Sequence, residues 1–357
     1  MKTILITGGC GFIGANFIRL LGAETDWRIV NIDKLTYAGN PDNVSEIPAE
    51  RYRFVRGDIC DRTLMARILQ EESPWGLVNF AAESHVDRSI LDASPFLQTN
   101  VDGVHALLET VRSFPVGRFL QVSTDEVYGD KEAKEASTEE APLLPSSPYA
   151  ASKAAADLLC GSYQRTYGVP IMITRSSNNY GPCQFPEKFI PLLIRNALQG
   201  LDLPVYGDGE QVRDWMYVED NCRAILAILR QECPPGIYNI GTGKERTNLE
   251  VVEAVCSAIA AETGADVNQL KGRVRFVADR PGHDRRYAIE SKKIRTAVGW
   301  HPSTAFEAGL QSTIRWYVDH GEWIRRVTSG EYRVYYNAVY DRVWGAADKV
   351  QSHDHEK

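Results

Sequence analysis

The chain has 357 residues, 43% hydrophobic and 24% charged, which is ordinary for a folded globular protein and enough for one large or two ordinary domains. A net charge of −7 argues against a broad nucleic-acid surface, and no apolar run approaches the ~20 residues needed to span a bilayer. Seven cysteines, at 10, 60, 160, 183, 222, 233 and 256, are scattered without a C-x-x-C pair. That pattern fits reduced thiols in a cytoplasmic protein, not a disulfide or zinc framework, and no metal site is expected.

The chain opens on "MKTILITGGCGFIGANF", whose apolar run breaks at Gly8-Gly9 with no small-x-small site after it, so no signal peptide is expected. Strands are predicted at Lys2–Thr7, Arg28–Ile32, Tyr52–Arg56, Gly76–Phe80, Arg118–Ser123 and Pro170–Thr174. Between them Phe12–Leu21, Arg62–Gln70, Ala93–Ser113 and Tyr149–Tyr167 have helical length and apolar spacing. This alternation implies an α/β fold, a Rossmann-type doubly wound parallel sheet over residues 1–180, with ligands at the carboxyl ends of its strands.

After about residue 180 Pro and Gly become frequent and the predicted helices (187–199, 219–231, 247–262, 304–318) alternate with shorter strands. Residues 181–343 read as a smaller α+β substrate domain at the C-terminal side, and 344–357, ending "SHDHEK", as a disordered tail. Gly236–Gly241, "GIYNIG", reads as a strand returned to the large sheet within a segment near 218–245.

The first strand runs directly into Gly8, Gly9, Gly11 and Gly14, followed by a helix. Glycines there allow a tight turn and close approach to a pyrophosphate, which the helix N-terminus attracts. Asp33, 19 residues beyond Gly14, ends the second strand and is placed to bind a ribose 2′-hydroxyl. A carboxylate there repels a 2′-phosphate, so the expected cofactor is NAD and not NADP; Lys34 softens that preference. Asp58 and Ile59 in "RGDICD" fall near an adenine, and "NFAAESHVDRS" ends its strand in small residues that let the backbone approach a cofactor.

"YAASK" sets Tyr149 and Lys153 four apart on one face of a helix opening after Pro148. A phenol with a pKa of about 10 is a poor base at neutral pH; a nearby ammonium and a cationic nicotinamide favour the phenolate and fit it to deprotonate an alcohol that loses hydride. The glycine loop and Y-x-x-x-K together resemble the extended short-chain dehydrogenase/reductase superfamily. The cofactor set implied is Gly8, Gly11, Phe12, Ile13, Gly14, Asp33, Lys34, Leu35, Thr36, Asp58, Ile59, Phe80, Ala81, Ala82, Ser84, Thr99, Tyr149, Lys153 and Asn179.

Adjacent acids close the fifth strand in "VSTDEVYG". An epimerase or simple dehydrogenase has no need of two more carboxyls, but an elimination does: one carbon loses a proton while hydroxide leaving its neighbour gains one. Close like charges and desolvation can hold one acid protonated. "STDEVYG", "AAESHVDRS", "SNNYGPCQFPEKFIPL", "ADRPGHDRRYAI" and "SGEYRVYYNAVY" (329–340) resemble the dTDP-glucose 4,6-dehydratases. The resemblance implies oxidation at C4, with Tyr149 taking the hydroxyl proton and Thr124 bonding the oxygen. Glu126 then removes the C5 proton, Asp125 protonates the departing C6 hydroxyl, and hydride returns to C6, leaving NAD regenerated and tightly bound.

The same resemblance places Ser84, Thr124, Asp125, Glu126 and Asn178 at the sugar, with Arg213 and Arg280 suited to a diphosphate as bidentate guanidinium groups. Lys188, Phe189, Pro204, Val205, Tyr206, Asn248, Asp279 and His283 would line the diphosphate and nucleoside pocket. Arg175-Ser176, Cys183 and Phe189 depart from the commonest pattern, leaving the base, thymidine or uridine or another, open. The acid pair separates this reading from a nucleotide-sugar epimerase or decarboxylase, and all four catalytic groups separate it from an NAD-sensing protein. A nucleotide-sugar substrate, no nucleic acid, no membrane and a homodimer paired through helices 93–113 and 149–167 complete the expectation.

Overall fold

Parallel strands buried on both faces read as unbroken apolar runs, and β1 (Thr3–Thr7) is such a run, with Ile4 and Ile6 facing one core and Leu5 the other. The structure, a computed structural model, describes residues 1–231 and 233–329. After β1 come α1 (Phe12–Glu24), β2 (Arg28–Asp33), β3 (Tyr52–Arg56), α2 (Arg62–Glu72), β4 (Gly76–Asn79), α3 (Val86–Leu91) and α4 (Ser94–Phe96). A π-helical turn (Leu97–Asp102) leads into α5 (Gly103–Ser113), then β5 (Arg118–Thr124), α6 (Pro148–Tyr167) and β6 (Ile171–Ser176). The remainder is β7 (Asn178–Tyr180), α7 (Phe189–Leu198), β8 (Leu203–Tyr206), β9 (Val212–Tyr217), α8 (Val218–Arg230), β10 (Gly236–Ile240), β11 (Glu245–Thr247), α9 (Asn248–Thr263), α10 (Val267–Lys271), β12 (Val274–Val277), α11 (Lys292–Val298), α12 (Phe306–Asp319) and α13 (Gly321–Val327).

Seven strands form one parallel sheet in the order β10-β6-β5-β4-β1-β2-β3. Strand order reverses between β1 and β4, which opens a crevice at their carboxyl ends. On one face α1 and α8 pack through Phe17, Ile18, Ile225 and Leu229; on the other α2, α5 and α6 pack through Met65, Leu107 and Cys160. A third core, with Ile190, Leu193, Val251, Leu310 and Trp323, joins α7, α9, α12 and α13 to two small sheets, β11-β9-β7 and β12-β8.

The helix expected over 93–113 runs without interruption from Ser94 to Ser113, but its middle, 97–102, is wound as a π segment that carries Asn100 inward to bond the main chain at Glu83. Helix α3 was not foreseen, since six residues are too few for a periodic signal. Strand β4 stops at Asn79, one residue short of the expected Phe80, and β6 continues to Ser176. No helix among the described residues is long and apolar enough to cross a membrane. All seven cysteines are free thiols. The "SGEYRVYYNAVY" stretch beyond Ser329 and the tail at 344–357 lie outside the described residues.

Candidate active site

The floor of the crevice is the turn between β1 and α1. Gly8 has φ +69°, and a Cβ on it would stand 2.5 Å from the Ala81 nitrogen; one on Gly14 would stand 2.4 Å from the Gly8 oxygen. Both contacts are with backbone, so neither position admits a side chain. Gly11, the residue before α1, offers no side-chain cap, which leaves the helix's first N–H groups open to an anion. At the end of β2 the Asp33 carboxylate accepts from the N–H of Cys10 (2.9 Å) and of Leu35 (2.8 Å), so its position is set by main chain on both sides. Burial raises its pKa. Lys34 turns away from it toward Thr99 (3.1 Å) and Asp58 (3.5 Å). The donor geometry fits a dinucleotide: glycine backbone and helix N-terminus for the diphosphate, a fixed carboxylate for a ribose.

Helix α6 starts at Pro148 with the Ser147 hydroxyl accepting from Ala150 N–H (3.1 Å), and this cap aims Tyr149 and Lys153 at the end of β5. There Thr124 caps the short turn Asp125–Tyr128, accepting from Glu126 N–H and donating to Asp125 Oδ1, both at 3.3 Å. Burial, reinforced by the Glu126 charge, pushes the Tyr149 phenol up, while burial pulls Lys153 down to about 8 against the opposing charge of Asp157. The Lys153 ammonium donates to Val122 O at 2.6 Å. Asp125 is 3% exposed, its Oδ2 has no partner, and burial with the neighbouring Glu126 charge holds its pKa well above the usual carboxylate range. Glu126 is raised as well, chiefly by burial, with Arg280 opposing.

A second cavity adjoins the first through Gln184, Glu187 and Lys188, which line both. Glu126 opens into it together with Arg213, Trp215, Arg280 and His283. Arg280 pairs with Asp87 (3.1 Å), which also accepts from the Tyr206 hydroxyl (3.0 Å). The Arg213 guanidinium lies over the Tyr287 ring, 4.1 Å from its centroid, and donates to the Asp284 carbonyl (2.8 Å). Burial, then the Arg280 charge, lowers His283 to about 4, so it is neutral beside Asp279. Five buried polar atoms lining this cavity have no partner: Asn178 Oδ1, Asn179 Oδ1, Gln184 Oε1, Trp215 Nε1 and Arg280 Nε. Buried polar groups are rarely left unpaired, so the cavity is shaped for a polar ligand.

A family model described as GDP-mannose 4,6 dehydratase matches residues 5–313. The chain belongs to the GDP-mannose 4,6-dehydratase family. A dTDP-glucose 4,6-dehydratase of Xanthomonas campestris pv. campestris is 47% identical over 345 residues, covering 94% of this chain and 98% of the relative. One from Escherichia coli K12 is 44% identical over 357 residues, covering 95% and 99%. Among solved structures, the dTDP-glucose 4,6-dehydratase of Streptomyces venezuelae with NAD bound superposes with a TM-score of 0.86 at 46% identity, covering 91% of this chain and 100% of that one. The NAD complex of Thermus thermophilus UDP-glucose 4-epimerase superposes at 0.81 and 31%, covering 89% and 100%.

Within this dehydratase-family framework most of the sequence-predicted residues fall on the two cavities. Gly8, Gly11, Phe12, Ile13, Gly14, Asp33, Lys34, Thr36, Asp58, Ile59, Phe80, Ala81, Ala82, Ser84, Thr99, Tyr149 and Lys153 line the first. Glu126, Asn178, Lys188, Phe189, Pro204, Tyr206, Arg213, Asn248, Arg280 and His283 line the second, as does Asn179, which was expected at the cofactor. Strand alternation turns Val205 into the third core, away from its cavity-lining neighbours Pro204 and Tyr206. Leu35 packs against the sheet core. Thr124 and Asp125 sit behind Glu126 and not on the cavity wall, and Asp279 lies outside it, holding His283 and Gln211. Sequence reasoning missed Trp215, which shares the Arg213 face of β9 two residues on, and Asp87, which stands inside the "SHVDRS" run it quoted.

It also missed the support beneath. Asp157, one turn beyond Lys153, receives Arg175 Nε at 2.8 Å, with side chains 1% and 3% exposed. Arg175 Nη1 donates to the Tyr128 hydroxyl and that hydroxyl to Asn239 Oδ1, both at 2.8 Å. Asn100 bonds Glu83 N–H and C=O and the Ser152 hydroxyl, all at 2.9 Å, tying the β4 loop to α6.

Proposed function

We propose that the protein is an NAD-dependent dTDP-glucose 4,6-dehydratase, converting dTDP-glucose to dTDP-4-keto-6-deoxyglucose and water. One observation carries this reading: two adjacent acids at the mouth of β5 beside Tyr149 and Lys153, with Asp125 enclosed and held toward its protonated form and Glu126 open to the cavity. Such a pair is split into acid and base by environment alone. NAD, when bound, supplies the hydride acceptor and donor. The Gly8–Gly14 turn would hold its diphosphate and Asp33 a ribose hydroxyl.

Tyr149 takes the C4 hydroxyl proton, assisted by the Lys153 ammonium, and Thr124 donates to the C4 oxygen. The resulting carbonyl acidifies C5–H, Glu126 accepts that proton, and Asp125 donates its own to the C6 hydroxyl as it leaves. Arg280, with an unpartnered Nε, and Arg213 support binding of the sugar nucleotide's diphosphate. The seven free thiols favour a cytoplasmic setting. Exposed Leu158 and Tyr167 on α6, with Leu97 before α5, favour a homodimer through these helices. Incubation with dTDP-glucose should yield a product with the alkaline absorbance of a 4-keto-6-deoxy sugar. No product from dTDP-, UDP- or GDP-linked hexoses would sink the reading, and product from UDP-glucose alone would reassign the base.

A further inference from the structure

Two loops line the cofactor cleft: the one after β2, carrying Tyr37, and the one before α7, carrying Glu187. They meet in a single cluster. The Tyr37 hydroxyl donates to Glu187 Oε1 at 2.8 Å, and Arg88 Nε on α3 donates to Oε2 at 3.1 Å. The Arg88 guanidinium lies 3.8 Å from the Tyr37 ring centroid, and Phe185 meets the same ring edge-on at 5.3 Å. Both carboxylate oxygens of Glu187 are thus engaged, with its side chain 2% exposed.

The cluster is a partition. Glu187 lines the cofactor cleft on the inside, Tyr37 and Arg88 line a separate surface cavity on the outside, and Gly39 and Phe185 line both. Opening the cluster would merge the two spaces. Charge-assisted bonds of this kind are stronger than neutral ones, and a buried carboxylate stripped of one donor is left poorly satisfied.

We propose that Tyr37, Arg88 and Glu187 form a clasp that closes the cofactor cleft and retains the dinucleotide between turnovers. The inference rests on the NAD-dependent reading above. It fits that reaction, in which the cofactor ends each cycle as it began and has no need to leave. Closure of this type acts on dissociation more than on encounter.

The test is retention of NAD itself. Wild type, Tyr37→Phe and Glu187→Gln are loaded with NAD, freed of excess by rapid gel filtration, and sampled over time for protein-bound NAD after acid extraction. Tyr37→Phe removes one hydroxyl and should release NAD about tenfold faster, the scale of one hydrogen bond to a charged group. Glu187→Gln, which keeps an acceptor for Tyr37 but loses the ion pair, should also release it faster. The lost bond should lower the melting temperature of the NAD-free variants by about 2–4 °C, a loss that leaves them folded at the assay temperature. Release rates equal to wild type in both variants overturn the clasp, as does release that quickens only in step with a lower melting temperature. A wild type that takes up no NAD overturns the dehydratase reading beneath it.

Discussion

Arg175→Met would break the buried ion pair beneath α6 while keeping an unbranched side chain of moderate length. The Asp157 carboxylate would remain 1% exposed and lose the donor at 2.8 Å. Removing one partner of a buried pair costs about 3–5 kcal/mol, because the other charge stays desolvated. Unfolding entropy of about 2.1 cal/mol/K per residue gives about 0.75 kcal/mol/K for a chain of this length, so the melting temperature should fall by about 4–7 °C. Arg325→Met removes the partner of Glu322 from a pair with side chains 72% and 65% exposed and should cost at most about 1 °C.

The loss also has a pH dependence. Burial already raises Asp157, with Arg175 as the leading opposing charge, so the substitution raises it further. A carboxyl whose folded pKa lies above its unfolded value binds more protons when folded, and stability falls as pH climbs between the two. The deficit should be largest at alkaline pH and shrink as the solution is made acidic. Adding Asp157→Leu should restore more than half of it, since an apolar pair of similar volume replaces both charges. Thermal unfolding followed by circular dichroism measures all of this. A variant melting within about 1 °C of wild type at about pH 8, or a double variant no more stable than the single, would refute the reasoning.

Asp125→Asn and Glu126→Gln should still turn the cofactor's nicotinamide to its reduced, absorbing form on mixing with dTDP-glucose, yet eliminate water about 10²–10⁴-fold more slowly; unimpaired product formation in either would refute its assigned role. Gly8→Ala should weaken NAD binding by at least about tenfold in calorimetry, because its Cβ would meet Ala81 backbone at 2.5 Å in a left-handed conformation. Gly161→Ala, where nothing lies within 4 Å, should bind as wild type does. The rate of nicotinamide reduction should fall as pH rises through about 8, where Lys153 loses its proton, and Lys153→Met should lack that limb; a rate flat from neutral to alkaline pH in wild type would contradict it.

Local pattern carried a large share of the site. Gly8, Gly11 and Gly14 follow an apolar strand, and Asp33 ends the next one, so their placement depends only on strand–turn–helix geometry. Tyr149 and Lys153 lie one helical turn apart, and their shared face follows from 3.6 residues per turn. The adjacency of Asp125 and Glu126 is itself a sequence fact, and the proposed separation of the elimination from the redox step rests on it. What adjacency leaves open is which acid is enclosed.

That was decided in three dimensions. Asp125 turns inward while Glu126 faces the cavity, because the capped turn after β5 rotates successive side chains apart. The π turn at 97–102, the Asp157–Arg175 pair and the Tyr37–Glu187–Arg88 cluster join residues 17 to 150 positions apart. No periodicity or spacing announces such contacts, since burial and partner choice depend on the packed neighbours. The sequence by itself determined most of the elements, the glycine turn after β1 and which ionisable side chains stand at the end of β5 and the start of α6, all set by local stereochemistry. The tertiary structure alone decided how deeply those groups are buried and which distant residues meet beside the cleft, since both depend on long-range packing.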